Sequence, residues 1–327
     1  MLNTNHVFII AEIGSNHNQD IERAFELMDI AKEAGADAVK FQSLQLDKLM
    51  TKSEITQEDR QLFHKIKLDE GWYFPLFEYA AKIGIECISS PTYLEAVSLL
   101  KECGAKHMKI ASPQTYGFPA LIKEIAQSGI PTIMSTGYCN AEEIDRAVLL
   151  FLEHGNRENL SLLHCISQYP TDYQNVNLRY ILKLMEKYQL PVGFSDHTMG
   201  NAAVYAAVAM GATIIEKHIT ISRQDTGPDH HFASEPEEFC EMVKQIRNLE
   251  VMLGDGKKEL TDFETNFRET VVMYPYAAKD MKKGETVTEA DLQYYRTKTS
   301  GGISPWEVGD KLLGNKLNHS VKRYDLF

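Results

Sequence analysis

Between residue 7 and about residue 253, short apolar runs rich in β-branched residues alternate eight times with longer stretches of helical period. The runs lie near Val7 to Glu12, Ala38 to Gln42, Glu86 to Ser90, His107 to Ser112, Thr132 to Thr136, Leu160 to Cys165, Val192 to Ser195 and Thr213 to His218. Between them, Ile21 to Ala34, Gly71 to Ile83, Glu142 to His154 and Pro236 to Met252 carry apolar residues three and four apart, the stripe of an amphipathic helix. A helix after each strand brings the chain back over the sheet before the next strand begins, so the strands pair in parallel. Eight such units in roughly 250 residues predict a (β/α)8 TIM barrel, with an open doubly wound sheet as the alternative. Ser43 to Asp69 is long for a βα loop and is read as holding a small extra helix, near Gln57 to Lys67, that lids the barrel mouth.

The alternation stops at Gly254-Asp255-Gly256. A charged stretch, Lys257 to Glu269, leads into short strand-like pieces with turn signals at Lys282-Lys283-Gly284-Glu285 and Ser300-Gly301-Gly302-Ile303-Ser304-Pro305. The expected organisation is a catalytic barrel over residues 1–256, a linker over 257–270 and a small β-rich domain over 271–327. So short a tail has little core of its own and is expected to lean on the barrel or on a second subunit.

A formal net charge of −12 argues against a nucleic-acid or anionic-membrane surface, since both reward clustered Lys and Arg. Any anionic substrate must then be held by local groups. The five cysteines form no C-x-x-C pair, which fits a reducing cytoplasm, and Cys139 and Cys165 read as inert buried thiols. Residues 1 to 6 are too short and polar for a signal peptide, and no apolar run approaches the ~18 residues of a membrane span.

Polar residues recur at the C-terminal ends of the expected strands, the face on which the catalytic groups of this fold gather. Lys40 and Lys109 bring two positive charges there, with hydroxyls from Ser90, Ser112, Ser135, Ser167 and Ser195, a set suited to a phosphate. His197 and His218, at the ends of neighbouring strands, offer two imidazoles to a divalent ion and leave positions open for water and substrate. Either histidine alone reads as a hydrogen-bonded core residue. Glu12, Glu216, Asp196 and Asp229 supply carboxylates for proton transfer, support of a metal or sugar hydroxyls, and Asp196 reads equally as a helix cap near Met199. Period two puts Lys40 with Gln42, Ser195 with His197 and Glu216 with His218 on shared strand faces, and turns Lys217 toward the helices.

Ala11-Glu12-Ile13-Gly14-Ser15-Asn16-His17-Asn18, Val39-Lys40-Phe41-Gln42, Lys109-Ile110-Ala111-Ser112, Ser135-Thr136-Gly137, Leu163-His164-Cys165, Gly193-Phe194-Ser195-Asp196-His197-Thr198, Glu216-Lys217-His218 and Gly227-Pro228-Asp229 closely resemble, in order, the motifs of the sialic acid synthase family. The tail, with Lys279-Asp280-Met281-Lys282-Lys283-Gly284-Glu285, Asp291-Leu292 and Gly302-Ile303, resembles that family's C-terminal antifreeze-like (SAF, β-clip) domain. The resemblance implies a transferase that joins phosphoenolpyruvate to an open-chain N-acylated amino hexose and releases phosphate. It implies manganese or magnesium on His197 and His218, with Glu12 and Asp229 close by. Lys40, Ser90, Lys109, Ser112, Ser135, Ser167 and Ser195 fall on phosphoenolpyruvate positions, and Gln42, Tyr169 and Asp229 on sugar-side positions. It further implies a domain-swapped homodimer in which Arg296 comes from the partner's antifreeze-like domain.

Departures from the family pattern cluster on the sugar side: Ser112-Pro113-Gln114 for the usual Ser-Gly-Glu, Ile166-Ser167 for Thr-Asn, and Tyr295-Arg296-Thr297 for Lys-Arg-Pro. N-acetylmannosamine and the 2,4-diacetamido-2,4,6-trideoxyhexoses are the candidate sugars, with Ser90 and Ser167 leaning toward the second. Two other readings stand beside this one: a Schiff-base aldolase using Lys40 or Lys109, and a non-catalytic sugar-binding protein.

Overall fold

The computed structural model describes residues 6–298 and 301–327. Ser300 of the second turn signal, and all of the leader reading except His6, lie outside the described residues. Eight strands form where the alternation predicts them: β1 Phe8–Glu12, β2 Ala38–Ser43, β3 Glu86–Pro91, β4 Met108–Ile110, β5 Thr132–Ser135, β6 Leu160–Cys165, β7 Val192–Asp196 and β8 Ile214–His218. Their order is β3-β2-β1-β8-β7-β6-β5-β4, every registered pair is parallel, and β3 lies beside β4. The sheet therefore curls round on itself as a near-barrel of the TIM type. A helix follows each strand, beginning with Ile21–Ala34, which Asp20 caps through Glu22 N and Gly35 ends in the left-handed region at φ +88°.

The strand pattern builds the mouth. Ile10, Ala38, Ile88, Ile133, Leu163 and Ile214, from six strands, form one buried cluster inside the barrel. Two residues further along the same strands, on the same face, stand Glu12, Lys40, Ser90, Ser135, Cys165 and Glu216. Each strand thus sets an apolar floor and then a functional group directly above it. The alternate residues, Ile9, Ala11, Val39, Phe41 and Ile215 among them, pack outward with helix residues such as Leu27, Met28 and Phe239. Gly193 stands two residues before Ser195, where a Cβ would come 2.6 Å from Ile214 Cβ and 2.7 Å from Leu163 Cδ2. Neighbouring side chains already fill the floor there, so β7 can lie close only as glycine.

Two segments depart from expectation. Strand β4 stops at Ile110, and Ser112 opens a short helix, Ser112–Gly117, with Pro113 in its first turn, where the missing N–H has no helical partner to lose. The long loop after β2 holds two helices, Leu46–Leu49 and Gln57–Ile66, the second started by a Thr56/Asp59 capping box.

Residues Asp255–Phe327 form a second compact unit. The stretch read as a linker holds a helix, Asp262–Phe267, and a 3-10 turn, Arg268–Val271, so it is structured rather than a bare connector. Beyond it, β9 Met273–Ala277 pairs antiparallel with β10 Leu292–Arg296. The unit has a core of its own, in which Ala277, Met281, Val287, Leu312 and Val321 are buried. Among the described residues no helix is long and apolar enough to cross a membrane.

Candidate active site

The strand ends enclose a cavity of about 160 Å3 at the mouth of the near-barrel. Glu12, Lys40, Ser90, Lys109, Ser135 and Glu216 line its floor and walls, with Ser112, Ser195, His197 and His218 beside them and Gln42 and Tyr169 toward the opening. The cavity thus gathers twelve of the sixteen residues expected there from the sequence.

Charge is concentrated in a buried chain of contacts. Lys40 Nζ lies 2.7 Å from Glu12 Oε2 and 3.7 Å from Glu216 Oε2, and Lys109 Nζ lies 3.5 Å from Glu216 Oε1. Lys109 also donates to Ser135 Oγ at 2.7 Å, Ser195 Oγ donates to Glu216 Oε1 at 2.8 Å, and Gln42 Nε2 donates to Glu12 Oε1 at 2.6 Å. Two ammoniums facing two carboxylates leave the cavity near neutral, so an entering anion must draw the lysines partly away from their partners. Burial works against the Lys40 ammonium, but Glu12 and Glu216 outweigh it and raise its pKa. At Lys109 burial, with the charge of Lys40 adding to it, outweighs the attraction of Glu216, and the pKa is lowered. Burial raises the Glu12 pKa, and the charge of Glu216 adds to it against Lys40; at Glu216 the two lysines overcome burial and hold the pKa low. The paired carboxylates are therefore driven apart in proton affinity.

The imidazoles of His197 and His218 lie 5.5 Å apart, centroid to centroid. His197 Nδ1 is fixed 2.9 Å from Ile166 O, and burial of the ring is outweighed by the Cys165 side chain it also bonds, which raises the His197 pKa; His218 Nδ1 is buried without a hydrogen-bond partner. Burial depresses the His218 pKa and keeps the ring neutral. A neutral imidazole nitrogen with an unused lone pair is what a borderline divalent cation takes. Among the described residues no group of three or more His, Cys, Asp or Glu is arranged to enclose a metal. The donor set fits a cation held by two protein nitrogens and otherwise by water or substrate oxygens.

Four expected residues stand outside the cavity lining. Asp229 sits on the loop after β8, where its Oδ2 accepts from Ser15 Oγ at 2.8 Å and Ser15 N at 3.2 Å. Ser167 Oγ is buried and unpartnered, next to Ser112 across Gly137, whose missing side chain leaves room for both hydroxyls. Asp196 corrects the sequence reading of a catalytic carboxylate. As the odd residue between Ser195 and His197 it faces away from the mouth, 2.6 Å from Lys217 Nζ, and accepts from Thr198 N. Arg296 belongs to the second unit, exposed at the end of β10.

Three further features shape the site, of which the sequence had marked only Gln114, as a departure from the family pattern. Cys165 is buried as expected but lines the cavity, where burial, which would raise its pKa, is outweighed by His197 and Lys109, which lower it. Period two from Leu163 on β6 was the available signal. Gln114 lines the wall from the Ser112–Gly117 helix. Gly14, at φ +53°, leaves space where Asp229 and Glu12 converge, since a Cβ would come 2.9 Å from Asp229 Oδ2 and 3.3 Å from Glu12 Oε1. Gly14→Ala is expected to lower turnover by about tenfold or more through displacement of Asp229, and to cost about 1–2 kcal/mol from the left-handed backbone. Steady-state kinetics and urea unfolding would show both effects; unchanged turnover would remove Asp229 from the chemistry.

Against known proteins, residues 27–258 match the family model described as the NeuB family. The chain is 42% identical to an uncharacterized protein of Methanocaldococcus jannaschii, over 96% of this chain and 90% of that one. It is 38% identical to the N,N'-diacetyllegionaminic acid synthase of Legionella pneumophila, over 96% and 91% of the two chains. The crystal structure of N-acetylneuraminic acid (sialic acid) synthetase from Leptospira borgpetersenii in complex with citrate superposes with a TM-score of 0.75 at 34% identity, covering 82% of this chain and 92% of that one.

Proposed function

The chain belongs to the NeuB family, and from that premise we propose that it is a nonulosonic acid synthase that condenses phosphoenolpyruvate with an N-acylated amino hexose. One observation carries this reading: two buried lysines, two carboxylates and two neighbouring imidazoles share a single cavity at the strand ends. Lys40 and Lys109 neutralise the phosphate and carboxylate of phosphoenolpyruvate, while Ser90, Ser112, Ser135, Ser167 and Ser195 supply directional bonds. C3 of phosphoenolpyruvate bonds to the aldehyde carbon, whose oxygen takes a proton; water adds at C2, and the adduct expels inorganic phosphate. Glu12 and Glu216, on either side of Lys40, are the carboxylates placed to give and receive those protons. Manganese or magnesium held by His197 and His218 would supply Lewis-acid polarisation of the aldehyde. Gln42, Tyr169 and Asp229 orient the sugar, and Arg296 of the small antifreeze-like domain serves its N-acyl group from the partner of a cytoplasmic homodimer. The Schiff-base alternative is disfavoured at Lys40, whose raised pKa keeps the amine charged.

Within this reading the sugar is a 2,4-diacetamido-2,4,6-trideoxyhexose. The similarity to a legionaminic acid synthase supports it, as does Gln114, an amide able both to donate and to accept toward a second acylamino group. A panel of amino sugars scored by phosphate release and product mass tests both levels. The diacetamido sugar is expected to outperform N-acetylmannosamine by at least about tenfold, since the polar groups of a matched pocket go unpaired with the wrong sugar. On the same panel Arg296→Ala raises the half-saturating sugar concentration and leaves that of phosphoenolpyruvate alone. Phosphate release with no sugar, or with none of the panel, would sink the proposal.

A further inference from the structure

Asn18 and Gln19 follow each other at φ +50° and +59°, two successive side-chain-bearing residues in the left-handed region. L residues stay there only where their surroundings hold them. Asn18 Oδ1 lies 3.0 Å from His230 Nε2, on the loop that carries Asp229. Gln19 turns the opposite way. Its Nε2 donates to Lys67 O at 2.6 Å and to Lys65 O at 3.2 Å, at the C-terminal end of the helix Gln57–Ile66. The last carbonyls of a helix have no partner within it, and here a side chain from another loop supplies one.

A second tie runs in parallel. Gln19 N donates to His17 Nδ1 at 3.1 Å, and the His17 ring meets Trp72, just past the insert, edge to face at 5.5 Å. On its other side the loop after β1 holds the β8 loop at two further points, where Ser15 bonds Asp229 and Asn16 Nδ2 donates to Ile219 O at 2.8 Å, and Arg23 of the helix that follows pairs with Asp225. The loop after β1 is thus a crosspiece between the helical insert above the mouth and the segment that seats Asp229. Gln19 ties the end of the insert, Lys48 ties its start to Glu95, and Gln19 does not line the cavity.

We propose that Gln19 is a positioning residue that latches the insert of residues 44–67 to the loop seating Asp229, so that the insert and the β8 loop hold or loosen together. The consequence for sugar binding rests on the synthase reading above; the latch itself does not. Hydrogen exchange of the full, ligand-free protein tests it with two variants. Gln19→Gly removes the side chain and suits the backbone angle, while Gln19→Glu keeps the size and removes the donor. Both are expected to speed exchange about tenfold in the amides of Gln57–Ile66 and by at least about threefold over residues 225–231, with no fall in the unfolding midpoint of the glycine variant. The sugar KM rises about three- to tenfold, and the phosphoenolpyruvate KM stays within about twofold. Unchanged exchange in Gln57–Ile66 overturns the latch, and a loosened insert beside an unchanged β8 loop overturns the coupling. If wild-type protein condenses no sugar, the synthase reading fails while both exchange outcomes still decide the latch.

Discussion

Lys40→Met is expected to lower turnover by about a thousandfold and to cost about 3–5 kcal/mol of folding stability, the usual penalty for leaving a buried charge without its partner. Lys40 is 3% exposed and stands between Glu12 and Glu216. Without its ammonium those buried carboxylates repel each other. Glu12, whose pKa burial and Glu216 already raise, then holds its proton more tightly still in the folded state. A carboxyl whose folded pKa lies above its unfolded value destabilises at high pH and ceases to do so as pH falls through the folded pKa. The deficit of the variant should therefore shrink as pH is lowered toward the ordinary carboxylate range. Stability and chemistry separate in the double variant Lys40→Met with Glu12→Gln, since removing both members of a buried pair is often nearly neutral for folding. Urea unfolding should show most of the stability restored while turnover stays low. Recovery of turnover as well would remove Lys40 from phosphate binding and Glu12 from proton transfer together.

How much of this was legible in the sequence follows from which interactions are local in period. All eight strands, and helices such as Ile21–Ala34 and Pro236–Leu253, form within a residue or two of the expected spans, because their apolar spacing matches the face each one buries. The cavity residues were legible for the same reason: a polar residue two steps past an inward apolar residue has nowhere to point but the mouth. Asp196 shows the limit of reading by position along a strand. Its place at the end of β7 made it a candidate, but its parity turned it to Lys217. What periodicity cannot reach is the placement of loops. The grip of Ser15 on Asp229 joins residues 214 positions apart, and that of Gln19 on Lys67 joins residues 48 apart; both depend on backbone turns that no apolar pattern encodes. The helix within 257–270 was not legible for a related reason, since the Thr261/Glu264 capping box is a short-range signal that the surrounding charge obscured.

Removal of divalent metal is the second large effect. Protein stripped with a chelator and assayed without added metal is expected to release phosphate at less than about one hundredth of the full rate, with manganese restoring it, because Lewis-acid polarisation is worth several kcal/mol. The case rests on His218 Nδ1, buried and unpartnered, beside His197, whose Nδ1 is spent on Ile166 O. A buried nitrogen without a partner is costly unless something binds it. Metal content supplies a readout apart from activity: His197→Ala and His218→Ala should each lose stoichiometric manganese on gel filtration while keeping the far-ultraviolet spectrum of the parent. A stabilisation test works in the same direction, since a ligand that binds only the folded state at about 100 times its Kd adds about 2.7 kcal/mol. Manganese should therefore raise the unfolding midpoint of the parent and leave both histidine variants unmoved. Full turnover after chelation, with no manganese bound to the parent protein, would assign the two imidazoles to holding the substrate directly and would leave aldehyde activation to Lys109 and the carboxylates.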